Sequence, residues 1–376
     1  MVYHYVTNVT ERCINLTISF MAGRRIQGLD SDLTATALPS GSIGGWVQVG
    51  RTTLGSAGDT ITVSNIPDKR YYMVLSNWIP TGGATDTLMR LGNGSTDATA
   101  KYAYRASDNN GSDYTATTTN TYYGNPDNTK TTPTFMTQYI ANKSDKEKLS
   151  MHHSVNQNSA GASSAPNKQE SVGKWTETSN PLDTYTLQNA GAGSYASGSE
   201  VVVLGYDPAD THTNNFWEEL YSGSGASGMD TGANGFTAKR YLWIQMYLED
   251  MISGGNVQMV LNGLDSSNNY ACRYIINDGS GGGSSFLTSR SDNLIHLGQS
   301  NETNAFINIF IVNTGSNEKL GMVFDMTSQQ AGAGYAPSRQ KIAFKDSQST
   351  QITDVEIRRA NGSWGANSRL KIWGAD

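Results

Sequence analysis

At 376 residues the chain is long enough for two domains of ordinary size, each burying its own core. Only 16% of residues are charged, Gly (40) is abundant and Pro (9) is scarce, which excludes a chain of amphipathic helices and fits short strands joined by polar turns. A net charge of −6 and a pI near 5.4 argue against a nucleic-acid coat or a binder of anionic membrane.

Residues 1–45 are rich in turn residues and hold no sustained period, so they read as an N-terminal arm or linker. No secretory signal is expected there, and Met21 reads as an alternative start that would make 1–20 an upstream extension. No run approaches the ~18 apolar residues of a membrane span. From Trp46 onward strand patterns dominate. Thr60-Ile61-Thr62-Val63 alternates, and Arg70-Tyr71-Tyr72-Met73-Val74-Leu75 is a strong strand. The polar stretches Ser107 to Thr134 and Gln157 to Asn167 read as rim loops. Phe216 to Tyr221 and Leu248 to Ile252 are the segments able to form a turn or two of helix.

The chain then repeats itself. FMTQYIANKSDKEKLSM begins at Phe135, and FINIFIVNTGSNEKLGM begins 171 positions later at Phe306. Trp217 follows Trp46 by 171 positions, Lys239-Arg240-Tyr241 follows Lys69-Arg70-Tyr71 by 170, and Tyr270 follows Tyr102 by 168. So small a drift over ordered landmarks marks an internal duplication. Units of about 160 residues far exceed the repeats of stacked arrays, so each closes its own core. The expected fold is all-β, with two tandem jelly-roll-like β-sandwich domains: domain 1 over 46–207, a linker at 208–216 and domain 2 over 217–376. The run from Phe306 to Val312 is apolar on both faces and should be deeply buried, whereas Thr137 and Gln138 imply a half-exposed strand in domain 1.

No catalytic constellation emerges. His152 and His153 are adjacent on a strand and point to opposite faces, so they cannot chelate one ion together. The acidic loops at Asp108 and Asp265 lack the full spacing of a calcium loop. Glu147-Lys148-Leu149 and Glu318-Lys319-Leu320 suit a turn that the fold uses once per domain. Cys13 and Cys272 support neither a disulfide framework nor a zinc site. Catalytic residues, cofactor and metal are therefore all read as none. Trp78, Tyr122, Tyr123 and Tyr335 lie near predicted loops and are the candidate contacts for a partner or a glycan. Trp46, Trp175, Trp217, Trp243 and Trp373 read as core.

GWVQVGRTTLGSAGDTITV (45–63), KWTETSN (174–180) and SGSEVVVLGYDPADTHTNNFWEEL (197–220) resemble a group of tandem β-sandwich proteins among the structural genes of marine tailed viruses. The likeness covers most of residues 24–376 and implies a virion component, on the capsid or tail exterior, without residue roles. The leading expectation is a non-enzymatic capsid decoration or outer capsid protein. Its partners would be itself, in a closed cyclic homo-oligomer such as a trimer, and other virion proteins such as the major capsid protein. No nucleic acid or membrane is expected. Alternatives are a tail or fibre component, or an adhesin binding host surface glycan. A double jelly-roll major capsid protein fits less naturally, because the two copies are so alike.

Overall fold

Successive side chains in a strand point to opposite faces, so an apolar run such as Tyr72-Met73-Val74-Leu75 needs a covering layer on each side. In the computed structural model both sides are covered: Tyr72 and Val74 enter one core, Met73 and Leu75 another. The structure describes residues 45–124, 126, 129–208, 210, 215–226, 228–251, 255–277, 284–297, 304–328 and 337–376.

The first half carries β1 (Val47–Thr53), β2 (Thr60–Val63), β3 (Tyr71–Trp78), β4 (Pro80–Thr81), β5 (Thr87–Gly92), β6 (Tyr102–Asp108), β7 (Tyr114–Asn120), β8 (Thr134–Ala141), β9 (Lys148–Asn156), β10 (Asn167–Trp175), β11 (Thr184–Asn189), β12 (Ser194–Tyr195) and β13 (Glu200–Tyr206). The second carries β14 (Glu218–Ser224), β15 (Gly228–Asp230), β16 (Tyr241–Leu248), β17 (Val257–Leu261), β18 (Tyr270–Asn277), β19 (Ser284–Asp292), β20 (Ile295–His296), β21 (Asn304–Val312), β22 (Lys319–Ser328), β23 (Ser338–Asp346), β24 (Val355–Arg359) and β25 (Arg369–Ala375).

Topology repeats with the sequence. The large sheet of the first half runs β1-β13-β3-β8-β9-β10-β6-β7, and that of the second runs β14-β25-β16-β21-β22-β23-β18-β19, the same order strand for strand. Facing them are β2-β11-β5 and β15-β24-β17-β20, again equivalent apart from the added β20. Even the irregularities recur. Pairing slips at Gln48/Gly50 in β1 and at Glu219/Tyr221 in β14, and again at Tyr102/Tyr104 and Tyr270/Cys272. Bulges at matched places are features of the fold, not accidents. Gly205 and Gly374 are matched for a similar reason. A Cβ at either would meet the Cγ of Lys69 or Lys239 at 2.7 Å, so both halves need bare backbone there.

The protein is thus all-β, with two sandwich-like halves. One core lies between the layers of the first half, around Trp78, Tyr123 and Trp175. A second fills the other half, around Ile244, Ile309 and Phe344. A third lies between the halves, where the outer faces of the two large sheets meet and bury Leu75, Phe135 and Val155 with Tyr241, Phe310 and Met322. This third core explains why the strongest strands are apolar on both faces.

Four expectations need correction. β7 lies inside the stretch read as a loop from Ser107 to Thr134; it is Thr-rich and largely exposed, so no apolar alternation marked it. Glu218–Ser224 is a strand paired to β25, and among the described residues there is no helix. None is therefore long and apolar enough to cross a membrane. Thr137 and Gln138 are buried, not half-exposed. Gln138 Nε2 donates to Ser150 Oγ (2.8 Å) and its Oε1 accepts from Tyr185 Oη (2.7 Å), which satisfies the amide inside the core. Finally, Ile307 and Ile309 to Val312 are buried as expected, but Phe306 is exposed.

Candidate interaction surface

The repeated turn is built from buried polar groups that bond mostly to backbone. Asn142 Oδ1 accepts from Leu182 N (3.0 Å), and its Nδ2 donates to Lys69 O (2.9 Å) and Asp68 Oδ1 (2.8 Å). Asn313 does the same work one copy later, accepting from Ile352 N (2.7 Å) and donating to Lys239 O (3.0 Å) and Ile352 O (3.1 Å). Lys148 and Lys319 are fully buried. Lys148 Nζ donates to the carbonyls of Lys146 and Glu177, and Lys319 Nζ to those of Thr314, Asn317 and Ser349. These groups close loops; all their described ligands are already provided.

Beside Lys319, burial pushes Asp346 up to about 7, while burial pushes the Lys319 ammonium down to about 8. Folded Asp346 retains a proton that the unfolded chain releases near pH 4. Its contribution to stability therefore falls as pH rises from about 4 to about 7. Asp346→Asn is expected to raise the melting temperature more at pH 8 than at pH 4. Calorimetric scans at both values check this, and equal shifts would contradict it.

The contact between the halves sets the Phe135 end of one face on the Tyr241 end of the other and, beside them, joins equivalent positions, His153 to Phe324 and Glu170 to Lys341. Phe135 stacks on Tyr241 with ring centroids 6.1 Å apart, and His153 meets Phe324 at 4.4 Å. Around this apolar centre sits a polar frame. Glu200, 2% exposed, receives Arg51 Nη2 (3.1 Å), Thr53 Oγ1 (2.8 Å) and Tyr241 Oη (2.5 Å) and pairs with Arg240 Nε (2.6 Å). Lys345 Nζ donates to Gln157 O (3.1 Å) and Ser159 O, and Arg273 Nε donates to Pro166 O (2.8 Å). Glu170 pairs with Lys168 (2.6 Å) in its own half and with Lys341 of the other.

Burial opposes the Glu170 charge, but Lys168 and Lys341 outweigh it and hold the carboxyl down at about 2. His153 beside it is kept neutral, since burial pushes it down to about 3. A depressed carboxyl stabilises the fold fully above its unfolded value, near 4.5, and this is lost as pH falls through about 2. Acid should therefore loosen the contact between pH 4.5 and 2, with a smaller pH dependence in Glu170→Gln. Tryptophan fluorescence follows it, because Trp217, Trp243 and Trp373 cluster on the face concerned. Identical acid profiles would contradict the assignment.

The matching face of the first half is uncovered among the described residues. Leu149 and Met151 are each 55% exposed and Val172 54%, whereas their counterparts Leu320, Met322 and Ala343 are buried against the other half. Tyr71 is 40% exposed, while its counterpart Tyr241 is fully buried. Trp46 and Tyr139 form an edge-on aromatic pair at the border, with centroids 6.4 Å apart. Together these residues line an open apolar hollow of about 760 Å³. A contiguous apolar patch of this kind, rimmed by Lys174, is the usual mark of an interaction site.

The four aromatic residues singled out from the sequence lie elsewhere. Trp78 and Tyr123 are fully buried in the first sandwich core, and Tyr123 Oη donates to Gly173 O (2.6 Å), so neither ring is available to a partner or glycan. Tyr122 is half-buried against Tyr104, 6.1 Å away. Tyr335 lies outside the described residues. Trp78 belongs to the inward set of β3 with Tyr72 and Val74, and that alternation was the signal for its burial. Trp175 is core, Trp46, Trp217 and Trp373 lie in the cluster between the halves, and Trp243 is half-buried beside them. Among the described residues no group of three or more His, Cys, Asp or Glu side chains is gathered as a metal site. Cys272 is buried, which pushes its thiol up to about 12. Cys13 is outside the described residues.

No protein-family model matches the chain, and no curated protein matches it. Among solved structures it is similar to domains LG4–5 of the mouse laminin α1 chain, at 9% identity over 87% of this chain and 90% of that one, with a TM-score of 0.18. It is also similar to a chain from work on the in-meso crystallization of membrane proteins (11% identity, 75% and 87% covered, TM-score 0.13). A third similarity is to neisserial surface protein A (8%, 77% and 96%, TM-score 0.12). Overlaps at these TM-scores carry no argument about function.

Proposed function

We propose that this protein is a non-enzymatic structural component of a virion, a decoration or outer capsid protein that works as a homo-oligomer. The observation that carries the reading is the uncovered apolar face of the first half, with Leu149, Met151 and Val172 each more than half exposed. A face of that chemistry in water favours burial against another protein surface. The resemblance of residues 45–63, 174–180 and 197–220 to structural proteins of tailed viruses supplies the setting. The duplicated polar clusters support a passive role, since Asn142, Asn313, Lys148 and Lys319 are engaged in holding loops. A glycan-binding reading loses two of its aromatic platforms, Trp78 and Tyr123, to the core.

The test is electron microscopy of intact virus particles from the same source, labelled with antibody against the purified chain. Regular labelling of the head is expected. Labelling confined to the tail would replace this assignment with a tail or fibre component, and unlabelled particles would overturn the virion reading.

A further inference from the structure

An Asn followed by Gly is where a polypeptide most readily attacks its own side chain, because glycine leaves its backbone nitrogen unshielded and mobile. Three such pairs stand in the identical tripeptide Asn-Gly-Ser: Asn93-Gly94-Ser95, Asn110-Gly111-Ser112 and Asn361-Gly362-Ser363. Local sequence therefore cannot rank them, and any difference in reactivity belongs to the fold. The reaction needs two groups free at once, the N–H of the glycine and the side-chain amide of the asparagine. At Asn93 both are held: Gly94 N donates to both carboxylate oxygens of Asp183 (2.7 and 2.9 Å), and Asn93 Nδ2 donates to Pro181 O (3.0 Å). At Asn110, Gly111 N donates to Asp108 O (2.7 Å) and Asn110 Nδ2 to Tyr274 O (2.8 Å). The two Asn-Gly pairs outside this tripeptide are held as well. Gly235 N donates to Gly232 O (2.9 Å), and the Asn262 amide donates to Gln351 O (3.0 Å) and accepts from Thr353 N (3.0 Å).

Asn361 differs. Its whole tripeptide is exposed, and among the described residues neither its side-chain amide nor Gly362 N has a hydrogen-bond partner. The loop is pinned on either side, by Ala360 N to Asn256 O (3.2 Å) and by Trp364 N to Ala226 O (2.8 Å). Within it only carbonyls are used: Asn361 O accepts from Gly255 N (3.0 Å) and Ser363 O from Arg359 Nη1 (2.5 Å). We infer that Asn361 is a site of spontaneous deamidation, selected by the fold from three equal sequences. Gly362 N loses its proton to hydroxide and attacks Asn361 Cγ. The new C–N bond closes a cyclic imide, and the side-chain nitrogen leaves as ammonia with a proton from water. Water then adds to one of the two imide carbonyls and opens the ring to aspartate or isoaspartate. The net change is amide plus water to carboxylic acid plus ammonia. Isoaspartate lengthens the backbone by one carbon between the two pinned ends, and either product adds a negative charge to the surface. A hydrogen bond that must break before the attack slows it by about tenfold. Asn93 and Asn110 therefore lag Asn361 by roughly tenfold or more.

The test incubates the full chain at mildly alkaline pH, folded and in concentrated urea, and follows the three Asn-Gly-Ser peptides by mass spectrometry. In the folded chain the Asn361 peptide is expected to gain aspartate and isoaspartate about tenfold faster than either of the others. In urea the three should convert at similar rates, since the fold no longer separates them. Asp183→Ala frees Gly94 N–H and should speed conversion at Asn93 by about tenfold. Asn110 should stay slow in that variant, which shows that its fold stands. Conversion at Asn93 or Asn110 as fast as at Asn361 in the folded chain would overturn the inference, as would an Asn361 that does not convert. The same ranking in urea would overturn it too, because sequence and not the fold would then set the rates. An Asn93 rate unmoved by Asp183→Ala would contradict the protection assigned to that hydrogen bond.

Discussion

Glu200→Ala should destabilise the protein by about 3 kcal/mol, the cost of leaving buried charges without their partner. Glu200 is the polar centre of the contact between the halves: four side chains converge on its carboxylate, and two of them, Arg240 and Tyr241, come from the second half. Burial works against its charge, but Arg51, Tyr241 and Arg240 hold the carboxyl below its ordinary range. Removing it leaves a buried phenol and two guanidinium groups without their carboxylate at the edge of an apolar contact, although Arg51 Nη1 still donates to Asp376 O (2.7 Å) and Arg240 Nη2 to Gly198 O (2.9 Å). Arg51 and Arg240 keep partial access to water, with side chains 26% and 27% exposed, which limits the loss. Urea unfolding measures it. Glu219→Ala is the comparison, because its pair with Lys371 lies at the surface and should be worth at most about 1 kcal/mol. Equal losses in the two variants would contradict the role assigned to Glu200.

Asn313→Ala should cost a similar amount, about 3 kcal/mol, and so should Asn142→Ala. The Asn313 amide makes three hydrogen bonds and the Asn142 amide four, and they join each turn to other segments. Alanine leaves the Ile352 or Leu182 N–H and the facing carbonyl oxygens without partners in buried surroundings, which costs more than the hydrogen bonds alone are worth. Asn317→Ala, in the same turn, should be nearly neutral, since among the described residues its side chain reaches only Ser316. Thermal unfolding of the three variants provides the check. If Asn317→Ala were as damaging as Asn313→Ala, the loss would belong to the turn and not to these bonds.

The repeated turn also shows how much of the molecule was legible in the sequence. Phe135 to Met151 and Phe306 to Met322 align without a gap, and each forms a hairpin of the same sheet order, so the duplication could be read from spacing alone. Apolar runs located the central strands because both of their faces are covered. Edge elements were harder. Tyr114–Asn120 pairs along one side of β6 with exposed threonines, and Phe216 to Tyr221 has apolar residues at helical spacing, which pairing with β25 overrides. No local pattern marks Gln138 as buried, because Tyr185, which satisfies its amide oxygen, lies 47 residues away in sequence.

The candidate surface was not legible at all. Leu149 and Leu320 are the same residue in the same turn at the same register, yet one is 55% exposed and the other 1%. What separates them is how the two halves pack, and a local pattern carries no record of that. Aromatic residues next to turn-rich sequence do not mark it, since Trp78 and Tyr123 are core.

Sedimentation velocity over a wide concentration range, on wild type and Met151→Glu, tests most directly whether the uncovered face is where the molecule meets other copies. Met151 is exposed at the centre of that face, so a charge there leaves the fold intact and spoils only its burial. The account predicts that wild type grows in mass with concentration while Met151→Glu stays at one chain of 40.5 kDa. A wild type that remains a single chain throughout, or a Met151→Glu that assembles equally well, would contradict it.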